Sequence, residues 1–512
     1  MPAHSTTPGA PQPSLPLRAI ALFALVYVLA WSLLPPLLSS SMPLDVAESL
    51  SWGHEWQWGY YKHPPLAPVL LELAYRAFGH AGPFLLSQLF IGATLWIVWR
   101  TGCRLMSRER AFIGTLLTMG VAYYTRPALE FNHNIAQMPF WAAVGYGFTA
   151  ALQKDGRLRH WALVGVAGGL GLITKYSVGA LLATLAIYLL ATPARRQMLR
   201  PGPWLALALM GLIFWPHLCW LQLTDWMPMA YASSRAATDG EVSRADGLNF
   251  LLVQALNHVP LALIVLAAAL CTRGRRRALA AADPQGVRWR LHTPMPAYLL
   301  ALSVGPALLV AGLGLAMGLR VRDMWGVPMW VFSGLLVAAW LPSAGLRAMQ
   351  AYLLRGLAVW LLIVSLVTFA FLAYGAQWRH RPSRMDWPQA AMAQQAAATW
   401  QAQSRCAIDS VSGDYWLAGL LAAQLPERPS VFIAGDERYS PWITPQRLAA
   451  HGTLWVGLGS DVPPPWVERL GADAGMRLQQ GVWTVDWPDK RAGPPMDLHW
   501  RTYVPAACAR LP

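Results

Sequence analysis

Residues 41–80, SSMPLDVAESLSWGHEWQWGYYKHPPLAPVLLELAYRAFGH, hold two carboxylates three positions apart, Asp45 and Glu48, followed by a Lys62-His63-Pro64-Pro65 turn. If Met42-Pro43 opens a short helix, both acids lie on one face near its N-terminus. A carboxylate pair there can take a proton or steady developing positive charge. Acidic residues in a first turn also simply favour the helix dipole, so Glu48 stays open between a second functional carboxylate and a helix-start charge. Lys62 and His63, set before a rigid turn, are groups that hold an anionic oxygen, although a lysine at a membrane surface also snorkels to headgroups. Trp52, Trp56, Trp58, Tyr60 and Tyr61 crowd the same stretch. They read as an interfacial aromatic belt that anchors the loop.

Further ionisable groups stand at the ends of apolar runs. YYTRPALEFNHN at 123–134 supplies Arg126, Glu130, His133 and Asn134; Lys175-Tyr176 interrupts two runs; Arg320, Arg322 and Asp323 form another corner. Any one of these serves as an anchor by itself. Several on the same side as Asp45 make a site for an anionic group such as a phosphate, with a carboxylate beside it. No metal-ligand motif stands out, and a carboxylate pair alone leaves a divalent metal open.

The elements that must position these groups follow from the bulk of the chain. It has 512 residues, of which 55% are hydrophobic and only 13% charged, with mean hydropathy +0.35 and 27 Trp, which suits a polytopic membrane protein. The net charge of +15 does not point to nucleic acid, because the basic residues fall in short clusters between apolar runs. Residues 1–17 read as a Pro/Ser/Thr-rich disordered tail. Apolar runs at 18–40, 82–103, 110–125, 135–152, 160–174, 177–193, 203–222, 249–271, 296–319, 324–342 and 350–375 predict about eleven transmembrane helices. A cleaved signal peptide is the lesser reading of the first run, which is long for one. With the N-terminus cytoplasmic, the basic clusters fall inside, among them Arg195, Arg196 and Arg200, and Arg273 and Arg275–Arg277 with Arg288 and Arg290. Residues 41–80, 126–134 and the 174–176 joint then face outside together.

From residue 376 onward no run reaches spanning length. Strand-like Ser430–Ala434 and Thr453–Gly457 alternate with helix-like Trp387–Gln403 and Tyr415–Gln424, predicting a small α/β domain at 376–512. Outside the membrane, Cys406 and Cys508 suit a disulfide, with two unpaired thiols the alternative.

The Asp45-Val-Ala-Glu48 pair, the Tyr60-Tyr61-Lys62-His63-Pro64-Pro65-Leu66 turn, the Thr174-Lys175-Tyr176 joint and the Arg322-Asp323-Met324-Trp325-Gly326 corner together resemble a known family. It is the GT-C fold glycosyltransferases of the bacterial protein-mannosyltransferase-like group (family 39/83 type), which includes the lipid A aminoarabinose transferases. The resemblance covers about residues 18–375, and its first-loop pattern is the most specific part. It implies an all-α polytopic inner-membrane enzyme with a small C-terminal α/β periplasmic domain. Such an enzyme takes a sugar from a polyprenyl phosphate, usually undecaprenyl phosphate, and passes it to a glycolipid or protein acceptor. Asp45 then matches the catalytic aspartate, with Glu48 as candidate partner, and Lys62 the basic residue that meets the donor phosphate, with His63, Arg126, Lys175 and Arg322 as its companions. Tyr60, Tyr61, His133 and Asn134 are the candidate sugar or acceptor contacts. The family often carries an acid near the fourth span, where this chain has His133-Asn134, so a second carboxylate falls to Glu130 or Glu48.

Two other classes compete. A transporter or flippase for a lipid-linked saccharide also needs intramembrane charge, but no inverted repeat is visible. An inactive scaffold presenting the outside domain does not account for so many ionisable residues on one side. Within the enzyme class, a protein O-mannosyltransferase differs in having a hydroxyl acceptor.

Overall fold

The computed structural model describes residues 15–238, 245–282, 294–317, 320–459, 461–472, 475–488 and 493–510. Most of the expected tail, and Arg288 and Arg290 of the expected basic loop, lie outside them. Helix α1 (Leu17–Leu38) runs on through Pro35 and Pro36, which lack the N–H that would bond back to the preceding turn, and it ends two residues later. Where the sequence suggests a loop from 41 to 80, the chain forms α2 (Leu44–Gly53) and α3 (Leu66–Phe78). Then come α4 (Gly82–Leu105), α5 (Arg108–Leu117), α6 (His133–Leu152), α7 (Leu158–Leu172), α8 (Val178–Ala191) and α9 (Pro201–Leu223). They are followed by α10 (Met227–Thr238), α11 (Ala245–Asn257), α12 (Val259–Cys271), α13 (Arg273–Ala282), α14 (Pro294–Met317), α15 (Ser333–Trp340) and α16 (Ser343–Arg379).

Five of these segments are long and apolar enough to cross a membrane: α1, the stretch Leu66–Leu105, α9, Ala297–Met317 and α16. The count rises to seven if each of two bent pairs, α8 with Pro193–Leu199 and α11 with α12, is one span. Fewer stretches than the expected eleven therefore meet that length, since about 20 residues are needed for ~30 Å of hydrocarbon. The runs at 110–125 and 324–342 split into short helices and 3-10 turns, so neither is one continuous helix. Helix α6 is buried along almost its whole length. Small residues let its neighbours close in: a side chain on Gly165 of α7 would lie 2.5 Å from the Ala206 carbonyl of α9.

Beyond α16 the chain forms α17 (Gln389–Gln403), β1 (Ser410–Gly413), α18 (Tyr415–Gln424), β2 (Ser430–Ile433), α19 (Pro445–His451), β3 (Thr453–Leu458), α20 (Pro465–Ala472), β4 (Met476–Val485) and β5 (Met496–Pro505). The sheet order is β2-β1-β3-β5-β4. Strands β2, β1 and β3 are parallel, and β5 pairs antiparallel with β3 and β4. Cys406 and Cys508 form a disulfide with Cα atoms 5.4 Å apart, which ties the entrance of the sheet to its exit.

This domain sits directly on α2 and α3. A side chain on Gly419 of α18 would meet the Ala47 carbonyl at 3.0 Å, and one on Gly53 of α2 would meet the Pro68 carbonyl of α3 at 2.2 Å. Ser40 and Ser41 donate backbone N–H groups to the Met385 carbonyl at 3.0 and 3.2 Å, and the Ser41 hydroxyl donates to the Arg384 carbonyl at 2.6 Å. Glu72 of α3, only 1% exposed, accepts from Arg76 and from Arg428 of the domain, both at 2.8 Å. Tyr75 donates to the Ala423 carbonyl at 3.1 Å and lies under the Arg428 guanidinium. The aromatic set of the first loop is divided by this docking, a correction to its reading as a belt. Trp52, Tyr60 and Tyr61 are buried in the domain's own hydrophobic core, while Trp56 and Trp58 remain exposed at 50% and 59%. Glu72→Ala removes the buried carboxylate and leaves Arg428 and Arg76, which reach solvent at 22% and 51%, so it should destabilise the docked domain by about 1–3 kcal/mol. Limited proteolysis of the detergent-solubilised protein should then release the C-terminal domain faster in the variant, and equal rates would rule out this hub as the fastening.

Candidate active site

Helix α2 starts after Pro43, whose ring ends the preceding extended chain and places Asp45 in the first turn. Glu48 follows one turn on and is buried. Tyr60 N–H donates to the His63 carbonyl at 3.0 Å, closing the Lys62 turn, and Leu66 N–H donates to the Ile173 carbonyl at 2.9 Å. That second bond fastens the first loop to the end of α7, two residues before Lys175. Residues far apart in sequence are thereby brought together.

Lys62 Nζ lies 2.5 Å from Glu48 Oε1, and Tyr61 donates to the same oxygen at 3.2 Å. The ammonium also rests on the ring of Tyr415, 4.3 Å from its centre, with Tyr61 at 5.1 Å and Tyr231 at 5.3 Å. Burial works against the charge of Lys62, but the Glu48 carboxylate outweighs it and holds the ammonium protonated above the ordinary lysine range. Lys175 is held instead by Asn134, whose Oδ1 accepts from Nζ at 2.5 Å. Asn134 is itself fixed at the head of α6 by the Asn132 side chain, which accepts from the Asn134 and Ile135 N–H groups at 2.9 and 3.3 Å. Burial pushes Lys175 down to about 8, with Asp45 pulling the other way.

Asp45 forms no hydrogen bond among the described residues. Burial raises its carboxyl above the usual range, while Lys175, Lys62 and Arg384 draw it back. Glu130 is a further acid that senses Asp45: burial lifts it to about 7, Arg126 lowers it and Asp45 raises it. Arg126 Nη1 stands 3.7 Å from Glu130 Oε2. The His63 and His133 rings are 4.0 Å apart, and Trp52 packs edge-on against both. Burial, with His133, Lys175 and Lys62 adding to it, lowers His63 well below the usual histidine range, so it is neutral. Nε2 of His133 is buried without a hydrogen-bond partner.

The structure thus gathers Asp45, Glu48, Lys62, His63, Glu130, His133, Asn134 and Lys175, with Arg126 at the edge. Tyr61 joins them through Glu48, whereas Tyr60 is buried against Trp52, 5.6 Å ring to ring. Arg322 is exposed at the head of the 3-10 turn Asp323–Trp330. Sequence reasoning missed Arg384, Tyr415 and Tyr231, which lie in segments with no motif. Among the described residues no group of three or more His, Cys, Asp or Glu is placed to hold a metal ion.

Residues 62–220 match the family described as dolichyl-phosphate-mannose-protein mannosyltransferase. The lipopolysaccharide core galacturonosyltransferase RgtA of Rhizobium johnstonii is 27% identical over 353 residues, which are 65% of this chain and 66% of that relative, just under two thirds of its length. The crystal structure of ArnT from Cupriavidus metallidurans bound to undecaprenyl phosphate matches with a TM-score of 0.63 at 14% identity, covering 95% of this chain and 98% of that one. At that identity the likeness is one of fold. Lys62, His63, Arg126, His133, Asn134 and Lys175 fall within the family match, and Asp45 and Glu48 lie just ahead of it. The chain has the GT-C fold of ArnT and is similar in sequence to membrane glycosyltransferases of the protein-mannosyltransferase type.

Proposed function

We propose that the protein is an inner-membrane glycosyltransferase that moves a sugar from a polyprenyl phosphate, such as undecaprenyl phosphate, to an envelope glycolipid such as lipid A or lipopolysaccharide. The observation that carries this reading is Asp45, a carboxylate without a hydrogen-bond partner among the described residues, set among the charges of Lys62 and Lys175. The likeness to ArnT with its undecaprenyl phosphate and to RgtA supports the donor and acceptor classes. The N-terminus is read as cytoplasmic and the C-terminal domain as periplasmic, supported by the basic loops and by the Cys406–Cys508 disulfide.

In the transfer the bond from the anomeric carbon to the phosphate oxygen breaks and a bond to the acceptor oxygen forms. The electron pair departs with the polyprenyl phosphate, and negative charge grows there. Lys62 and Lys175, in a pocket that excludes much of the water, stabilise that charge more strongly than they would in bulk solvent. In-line attack inverts the anomeric centre. A hydroxyl acceptor gives its proton to Asp45, whose raised pKa makes it a stronger base. A phosphate acceptor is already ionised, and Asp45 then steadies positive charge on the sugar ring. The mannosyltransferase family match keeps a protein hydroxyl as the second acceptor reading, in which dependence on Asp45 is stricter.

Deleting the gene should remove one modified species from the mass spectrum of lipid A, core glycolipid or periplasmic glycoproteins. Complementation with Asp45→Asn should leave turnover lower by about 100-fold or more. An unchanged glycan profile on deletion, or a full wild-type profile from Asp45→Asn, sinks the assignment. The pH profile gives a second test. Lys175 is charged below its pKa of about 8 and neutral above it, so kcat/KM should fall as pH rises through about 8. Lys175→Arg keeps its charge at all such pH values and should move that alkaline limb upward. A limb that stays in place assigns it to another group.

A further inference from the structure

The cations of the pocket differ in how they are satisfied. Lys62 is paired with Glu48, Lys175 is held by Asn134, and Arg126 faces Glu130. Arg384, contributed by the C-terminal domain, is not matched in this way: its exposed guanidinium makes no hydrogen bond or ion pair with any described residue. The acid nearest in sequence, Asp386, is already engaged, accepting from Ser383 N–H at 2.6 Å and Ser383 Oγ at 2.7 Å and standing 3.8 Å from Arg379.

Arg384 is nonetheless firmly placed. Its carbonyl accepts from Ser41 Oγ, and Trp387 N–H donates to the same Oγ at 3.1 Å, so its backbone is stitched to the segment that leads into α2 and Asp45. Its guanidinium lies 5.5 Å over the ring of Trp416, which packs edge-on at 4.3 Å against Trp387. Trp416 follows Tyr415, so two consecutive rings at the start of α18 carry two cations, Lys62 on Tyr415 and Arg384 on Trp416. Both rings are aimed by the Asp414 side chain, which accepts from the Trp416 and Leu417 N–H groups. Nε1 of Trp416 is buried without a hydrogen-bond partner, a second unspent donor beside the first.

We propose that Arg384 and Trp416 form a subsite for a second anionic group, a carboxylate or phosphate distinct from the donor's bridging phosphate, carried by the transferred sugar or by the acceptor. The proposal rests on the glycosyltransferase reading. A guanidinium standing over an aromatic ring keeps its N–H groups free of partners among the described residues, and they form a fork that suits two oxygens of one anion. Its charge is felt by Asp45, so an anion held there lies within reach of the same site.

The test uses the full-length protein in detergent with two substrate pairs. The donors are undecaprenyl phosphate bearing galacturonic acid or galactose; the acceptors are lipid A with both phosphates or with one removed. Wild-type protein should favour the charged member of one pair. Arg384→Gln should lower kcat/KM for that member by about 10- to 100-fold, the worth of a charged hydrogen bond, and change the neutral member less than about threefold. Preference lost in the donor pair assigns the anion to the sugar; preference lost in the acceptor pair assigns it to the acceptor. Arg384→Lys, which keeps charge without the fork, should restore part of the preference, and Trp416→Phe, which keeps a ring without Nε1, should weaken it. Equal losses across all four substrates, or no preference in the wild type, overturn the proposal while leaving the transfer reaction standing. No transfer by wild-type protein from either donor overturns the reaction itself.

Discussion

The buried Lys62–Glu48 pair is the interaction on which the rest of the pocket depends. An ammonium and a carboxylate 2.5 Å apart satisfy each other, and the second carboxylate of α2 is thereby left without a claim on Lys62's strongest contact. Asp45 feels the surrounding positive charge at a distance and is bonded to none of it. Such an arrangement survives only if water is kept away from the pair, because a solvated lysine would not remain fixed to one acid. The rings of Tyr61, Tyr231 and Tyr415 provide that dry seat, and the last of them comes from the C-terminal domain.

The domain is therefore a wall of the pocket. Its contacts to α2 and α3 are of the kind that fix one orientation: a glycine against a carbonyl, a buried glutamate shared by two arginines, and a row of backbone bonds from Ser40 and Ser41. Apolar contact alone would tolerate sliding, whereas each of these has a single satisfied geometry. The angle of α2, and with it the aim of Asp45, is set from outside the membrane-embedded helices.

Much of this was legible in the chain. Pro43 with Asp45 announced a helix start, the Lys62 turn and the Lys175 joint announced polar corners, and the alternation around Tyr415–Gln424 and Ser430 announced the sheet domain; each is a local pattern read over a few residues. What escaped was decided at long range. Trp52 and Tyr60 look like membrane anchors by composition, and only the docked domain makes them core. Arg384 and Tyr415 carry no motif because their partners lie more than 300 residues away. Strand β4 has no alternation over most of its length, since Arg477–Gln480 are all exposed and only Trp483 and Val485 near its end are buried. The apolar runs do not all become single long helices, because an apolar run reports burial, and helices buried by protein look like helices buried by lipid.

Strand order has a consequence for how the protein is made. Strand β5 follows every other strand in the chain, yet it lies between β3 and β4, and Cys508 just beyond it bonds back to Cys406. During synthesis the membrane helices, with Asp45, Lys62 and Lys175, are in place long before residues 496–505 emerge to complete the sheet. Until then the sheet that backs Tyr415 is incomplete. A half-made or truncated chain thus lacks the roof of the charged site, which is complete only once the sheet and the Cys406–Cys508 bond have closed.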